Sequence, residues 1–491
     1  MLQNLSRIIA QDKNFLNIIN GRRVGAVTGK TIAVACPSDG SDFATIPACD
    51  ATDVDRAVSA ARLAFEEGAW SHMPAFERGR LLTRLGQLVE EHGDELAALE
   101  ARDTGKPIRQ GKADVAATIR YYEFYGGAAD KIHGDTIPFL DGYTALTLRE
   151  PHGVVAGITP WNYPMQIMAR VVGAALAMGN TLVIKPAEDA SLSTIRIGEL
   201  AIEAGFPDGV LNIITGFGGE AGAALSAHPG VDYVTFTGSP VTGTAIQQAA
   251  ATNNRGVTME LGGKSPQIVF ADVDIGKALP VLVNAIIQNG GQTCSAGSRI
   301  LIEHSIYNEV AGELAARFNN LVAGPHDADL DLGPMINAAQ KRRVENYITA
   351  AVEAGIEVVA RGSIHVDGPL SGFYVAPVLF GAVDPAAVLA QEEVFGPVLS
   401  LFSFNDEEEA IRLANSTEYG LVAGVWTSDG ARQHRVAKRV RAGQVYVNSY
   451  GAGGGVELPF GGFKRSGHGR EKGFEALYDM SATKTIVFRH D

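Results

Sequence analysis

The chain has 491 residues, with 41 Lys plus Arg against 55 Asp plus Glu, a formal charge of −14. Hydrophobic residues make 46% and charged residues 20%, the balance of a globular protein of two or three domains whose core needs no disulfide or metal staple. Scattered basic residues in an acidic chain exclude a nucleic-acid surface, and three dispersed cysteines, Cys36, Cys49 and Cys294, exclude a disulfide framework and fit a reducing, cytoplasmic compartment.

In chain order, the opening stretch MLQNLSRIIAQDKNF has too short an apolar core for a signal peptide. Residues 53–65 and 75–101 read as amphipathic helices; Thr52 or Asp53 caps the first, and Leu81, Leu82, Leu85, Leu88 and Val89 recur at helical spacing in the second. Asp141-Gly142 between IPFL and TALTL predicts a hairpin. Strands at 154–158, 181–184, 211–214 and 233–236 alternate with helices at 166–178, 193–204 and 219–226. That spacing implies right-handed crossovers and a mostly parallel sheet. Arg170 interrupts the longest apolar run, so none reaches the ~18 residues of a membrane span. The alternation resumes after Glu260 with a strand at 268–270, a helix at 279–287 and a strand at 300–302. Runs at 358–360, 400–404, 424–426, 444–447 and 484–488 complete it. The fold class is α/β, with two parallel-sheet lobes that change over near residue 260.

Four signals carry chemistry. In NGGQTCSAGSR (289–299) an apolar helix ends at two glycines, and Cys294 follows. The glycines let the backbone bend and leave room for a reactant beside both the thiol and the Cys294 amide, which suits a nucleophile. A small buried hydrophobe is the alternative for any free cysteine, and it is the reading for Cys36 and Cys49. Glu260, ahead of Leu261-Gly262-Gly263-Lys264, is either a general base or a strand-end residue. TPWNYP (159–164) follows a buried strand, where α/β folds bind ligands, and Asn162 offers an oxyanion donor or a helix cap. Gly238-Ser239-Pro240-Val241-Thr242-Gly243 opens a helix whose amides can hold a pyrophosphate, although the glycine spacing is not GxGxxG. Lys185 and Glu188, after the strand TLVI, can grip ribose hydroxyls. The acidic triplet Asp327, Asp329 and Asp331 fails as a calcium loop because Leu332 and Ala338 stand where Gly and Glu are required. The glycines of 451–455 lack a following GK[ST] and read as a loop.

Together TPWNYP, KPAE, FTGS, ELGGKSP, GQTC, EEVFGPV and PFGGFKRSGHGRE, in this order, resemble the NAD(P)-dependent aldehyde dehydrogenase superfamily over nearly the whole chain. The resemblance implies Cys294 as nucleophile, Asn162 and the Cys294 amide as oxyanion donors, and Glu260 as the base that activates water. It implies Trp161, Lys185, Glu188, Gly238, Ser239, Glu393 and Phe395 as cofactor contacts. A carboxylate at Glu188 accepts from a ribose 2′-hydroxyl and repels a 2′-phosphate, which favours NAD while leaving NADP open. The implied architecture has a cofactor-binding domain (1–130 and 151–259) and a catalytic domain (260–440). An oligomerisation arm (131–150 and 475–491) and a return segment (441–474) complete it, in a homodimer or homotetramer.

The substrate pocket maps by similarity to Tyr163, Arg170, Gln288, Ser295 and Phe460. Arg170 and Gln288 stand where betaine aldehyde dehydrogenases have Trp, so a quaternary ammonium would lose two aromatic faces. Arg170 matches a carboxylate-binding Arg of succinic semialdehyde dehydrogenases, whose second Arg is Gln288 here. The expectation leans to a carboxylated semialdehyde, with neutral aliphatic or aromatic aldehydes as the alternative. A cofactor-independent thiol esterase is the reading from a different class.

Overall fold

The computed structural model describes residues 14–365, 371–451 and 455–490. The reading of the opening stretch through Lys13, and of residues 452–454, lies outside the described residues.

Short, wholly buried runs build the middle of the first sheet. Its eight strands run Arg22–Val24, Asn17–Ile19, Leu211–Ile213, Thr181–Pro186, Val154–Thr159, Tyr233–Thr237, Gly256–Glu260 and Gly467–His468. The five central strands are parallel, and both edges are antiparallel. A sheet covered by helices on both faces requires such continuous apolar strands. The strand order reverses between Val154–Thr159 and Tyr233–Thr237, and a crevice opens outside the carboxyl ends at such a point. Thr237 pairs with Glu260, and Glu260 pairs with Gly467, so the register sets Glu260 at the carboxyl edge beside that crevice.

The second sheet starts in chain order at Pro266–Val269. Its order is Glu357–Arg361, Val378–Gly381, Val398–Phe404, Arg299–Glu303, Pro266–Val269, Val422–Trp426 and Gln444–Val447. Only the Glu357–Arg361 edge is antiparallel. A third sheet pairs Ser481–Arg489 with Tyr143–Pro151 from Ser481↔Pro151 to Arg489↔Tyr143, and Thr136–Ile137 joins on the far side. The predicted hairpin is this turn, with Gly142 at φ +78°.

Three expectations need correction. Asp50, not Thr52 or Asp53, caps the helix Ala51–Glu66; Asp53 is its capping-box partner. The single helix at 75–101 is two, Ala75–Glu91 and Gly93–Thr104, broken at His92. A further helix, Ile108–Ala128, was not expected. The segment at 219–226 is a π turn, Gly218–Gly222, running into a short helix, Ala223–Ser226. The acidic triplet has structural work: Asp331 accepts from Val322 N, and Asp329 accepts from Arg109 N.

Candidate active site

A cavity of about 410 Å³ opens at the crevice, lined from the first lobe by Trp161, Asn162, Gly238, Ser239 and Glu260. Cys294, Glu393 and Phe395 line it from the second lobe. Eight residues expected from five separate stretches therefore share one space.

The cysteine loop is shaped by strained backbone. The helix Ile275–Ile287 ends, and Asn289, Gly290 and Gly291 follow at φ +50°, +63° and +75°. A Cβ at Gly291 would lie 2.2 Å from the Gly396 carbonyl oxygen, and one at Gly263 would lie 2.4 Å from the Cys294 carbonyl oxygen. Glycine is required at both places for the loop to seat this closely. Asn162 Nδ2 donates to the Gln292 carbonyl at 2.9 Å, which ties the two loops together and leaves its second N–H free.

Burial pushes the Cys294 thiol up to about 12, with Arg170 opposing the shift and Glu260, Glu393 and Glu471 adding to it. The Glu260 carboxyl is buried, and neither oxygen has a hydrogen-bond partner. Burial, then Glu471, raise it well above the usual carboxylate range, and Arg170 pulls it back. Arg170 is thus the chief cation acting on both groups. Its guanidinium pairs with Glu471 at 3.3 Å, and the side chains are only 12% and 5% exposed. It also lies 5.3 Å from the Phe460 ring centroid. The substrate-pocket candidate Arg170 is thus paired with a carboxylate of the protein itself. Gln288 is exposed at the helix end, where its carbonyl accepts from Thr293 Oγ1 at 3.4 Å.

Aromatic groups crowd the thiol. Phe460 packs with Cys294, Tyr446 and Tyr450 in one cluster. Tyr450 donates to the Ser295 carbonyl at 2.7 Å, and Tyr163 shares a hydrogen bond with Thr293 at 2.8 Å. Tyr446, Tyr450 and Glu471 were missed by the sequence reading; Glu471 alone lay within a quoted motif, as the last residue of PFGGFKRSGHGRE.

The cofactor candidates fall into two groups. Ser239 Oγ accepts from Thr242 N at 3.2 Å and caps the helix Pro240–Ala251, whose first turn faces the cavity. Trp161 meets Phe395 edge-on at 5.4 Å, and Phe395 is held at φ +60°. Glu393 accepts from Gly263 N at 2.8 Å, and burial pushes its pKa to about 7. Lys185 and Glu188 are outside the lining of this cavity, at the end of the neighbouring strand, and pair with each other at 2.9 Å. Burial acts against the charge on Glu188, yet Lys185 holds its carboxyl below the usual value. A helix N-terminus facing the cavity, a cradle that a Cβ at Gly262 would fill (2.3 Å from Glu393 Oε2) and an ionised carboxylate one strand away fit a dinucleotide.

Residues 24–486 match the aldehyde dehydrogenase family. The mitochondrial aldehyde dehydrogenase family 2 member B4 of Arabidopsis thaliana is 44% identical over 473 residues, covering 96% of this chain and 87% of that protein. The mitochondrial benzaldehyde dehydrogenase of Antirrhinum majus is 41% identical over 473 residues, covering 96% and 88%. The NAD+ complex of an aldehyde dehydrogenase from Bacillus cereus superposes with a TM-score of 0.96 at 40% identity, covering 99% of this chain and 98% of that one.

Proposed function

Because the chain belongs to the aldehyde dehydrogenase family, an NAD(P)-dependent oxidoreductase family, we propose that it oxidises neutral, apolar aldehydes, aromatic ones among them, to carboxylic acids through Cys294. The observation that carries the reading is the meeting of the Cys294 thiol, the Asn162 amide and the unpartnered Glu260 carboxyl in one cavity.

The Cys294 thiol gives up its proton to water, and the thiolate adds to the carbonyl carbon, forming a C–S bond and sending an electron pair to oxygen. The free N–H of Asn162 and the Cys294 amide donate to that oxygen, in a site already shaped for it. The nicotinamide, when bound, supplies the hydride acceptor that turns the adduct into a thioester. Glu260 takes a proton from water as the water adds to the thioester carbon, and the C–S bond then breaks to return the thiolate. A carboxyl whose pKa burial has raised is a stronger base, once ionised, than an exposed one.

Glu188 supports NAD over NADP. The pairing of Arg170 with Glu471, and the aromatic groups beside Cys294, support a neutral substrate. The division into cofactor-binding, catalytic, arm and return segments follows the boundaries given above. Exposed Phe139 and Leu140 in the hairpin connection, and Val487 and Phe488 on the third sheet, support an arm that joins copies of the chain as a dimer or tetramer, to be weighed by sedimentation. Three unbridged cysteines support a cytoplasmic enzyme; among the described residues no helix is long and apolar enough to cross a membrane.

The test is NADH formation with benzaldehyde, hexanal, betaine aldehyde and succinic semialdehyde, each with NAD and NADP. Benzaldehyde and hexanal with NAD should be the better substrates, and Cys294→Ala should abolish turnover. A preference for succinic semialdehyde overturns the substrate assignment. Ester hydrolysis without any aldehyde oxidation would instead make this a thiol esterase.

A further inference from the structure

A buried cation stands behind the oxyanion donor. Lys106 lies in the turn between the helices Gly93–Thr104 and Ile108–Ala128 and is 1% exposed. Its ammonium donates to Glu100 Oε1 at 3.2 Å, to Asp114 and to the Asn162 carbonyl at 3.0 Å. All three N–H bonds are used. The carboxylates are fixed in turn: Glu100 Oε2 accepts from Ser193 Oγ, and Asp114 Oδ1 accepts from Gln166 Nε2, both at 2.6 Å. The ammonium also sits 4.5 Å from the Tyr163 ring centroid. Burial acts against its charge, but Asp114 and Glu100 keep it protonated.

Stability does not explain the arrangement, since a buried ion pair is seldom better than well-packed apolar side chains. Geometry does. The Asn162 carbonyl that Lys106 holds also accepts from Asn289 Nδ2 at 2.9 Å. The Asn162 side chain bonds Gln292, two residues before Cys294. Lys106 is therefore one hydrogen bond from Asn162 and two from the cysteine loop, yet it does not line the cavity.

We infer that Lys106 is a positioning residue for the reaction. It fixes the Asn162 main chain and the Tyr163 ring so that the Asn162 amide points at the oxygen of the aldehyde on Cys294. A charged donor makes this restraint stiffer than a neutral one. The inference rests on the oxyanion role proposed for Asn162.

The test is a double-mutant cycle in the full-length enzyme: Lys106→Met, Asn162→Ala and both, with kcat and KM for aldehyde and the dissociation constant for NAD. Asn162→Ala should lower kcat by roughly 100- to 1,000-fold. Lys106→Met should lower kcat by about 10- to 100-fold with NAD binding unchanged. In the Asn162→Ala background Lys106→Met should cost less than ~3-fold more, because its effect acts through the missing amide. An equal factor in both backgrounds overturns the role of Lys106 alone. A near-normal kcat in Asn162→Ala overturns the oxyanion reading itself. Should Lys106→Met fail to fold, Lys106→Met/Asp114→Asn removes the buried charge with a partner and carries the same cycle.

Discussion

The Arg170–Glu471 pair separates two kinds of substrate and can be taken out as a unit. Arg170→Met/Glu471→Gln removes both charges from a place where the side chains are 12% and 5% exposed. A hydrogen bond from a guanidinium to a substrate carboxylate is worth ~1.5–3 kcal/mol. At ~1.4 kcal/mol per tenfold, that is about 10- to 140-fold in kcat/KM. If Arg170 recognised carboxylates, the double variant would lose this factor on succinic semialdehyde and keep its rate on benzaldehyde. The structure predicts instead that the ratio of the two kcat/KM values moves by less than ~3-fold, since Glu471 already neutralises the guanidinium. The assay is steady-state NADH formation with both aldehydes at saturating NAD. A selective tenfold loss on the carboxylated aldehyde refutes the reasoning. Arg170→Met alone adds a stability test, because it leaves a buried carboxyl without its charged partner, at ~3–5 kcal/mol when ionised. Burial raises the pKa of Glu471 even in the intact pair, and Arg170 is the leading cause that lowers it. A carboxyl with a raised folded pKa favours the fold at low pH and loses that contribution as pH rises through the raised value. The melting deficit of Arg170→Met should therefore be largest at neutral and alkaline pH and shrink towards the ordinary range of Glu. A deficit independent of pH would contradict it.

Two further outcomes are expected. Cys294, pushed up to about 12 by burial, should be alkylated by iodoacetamide in the cofactor-free enzyme at a rate that climbs roughly tenfold per pH unit past the ordinary thiol range. A plateau near neutrality would show a thiolate already formed. Gly291→Ala puts a Cβ 2.2 Å from the Gly396 oxygen at a φ of +75°, so it should displace the cysteine loop and cost about 100-fold or more in kcat/KM, with a lower melting temperature. Near-normal kinetics would mean that the loop seats less tightly than described.

What could be read from the sequence followed from how local each signal is. The strands Val154–Thr159, Thr181–Pro186 and Tyr233–Thr237 are continuous apolar runs, visible residue by residue. The helix Ile108–Ala128 was hidden by glycines that resemble loop punctuation. In the structure a Cβ at Gly111 would meet the Ala97 carbonyl oxygen at 2.5 Å, and one at Gly126 would meet Thr83 Oγ1 at 2.6 Å. Those glycines let helices approach and do not end one. The break at His92 was masked because leucine periodicity runs up to it and an apolar face resumes beyond it. The candidate site was legible where one motif supplies one residue, as with Cys294 and Glu260. Arg170 was read on its own helix, but its partner Glu471 lies far along the chain, and so does the Asn162 carbonyl held by Lys106. Pairings of that kind depend on the fold, and no spacing rule reports them.

The two-residue strand Gly467–His468 has a consequence for how the enzyme comes into being. It covers the outer edge of Gly256–Glu260, and the same segment carries Glu471 to Arg170 and Thr237. While the ribosome is still making the second lobe, the first sheet has its parallel core but an open edge at Glu260. An unpaired edge of that kind invites pairing with another nascent chain. Catalytic competence therefore arrives late in synthesis, all at once, when one short return strand both seals the edge and sets the charges around the thiol.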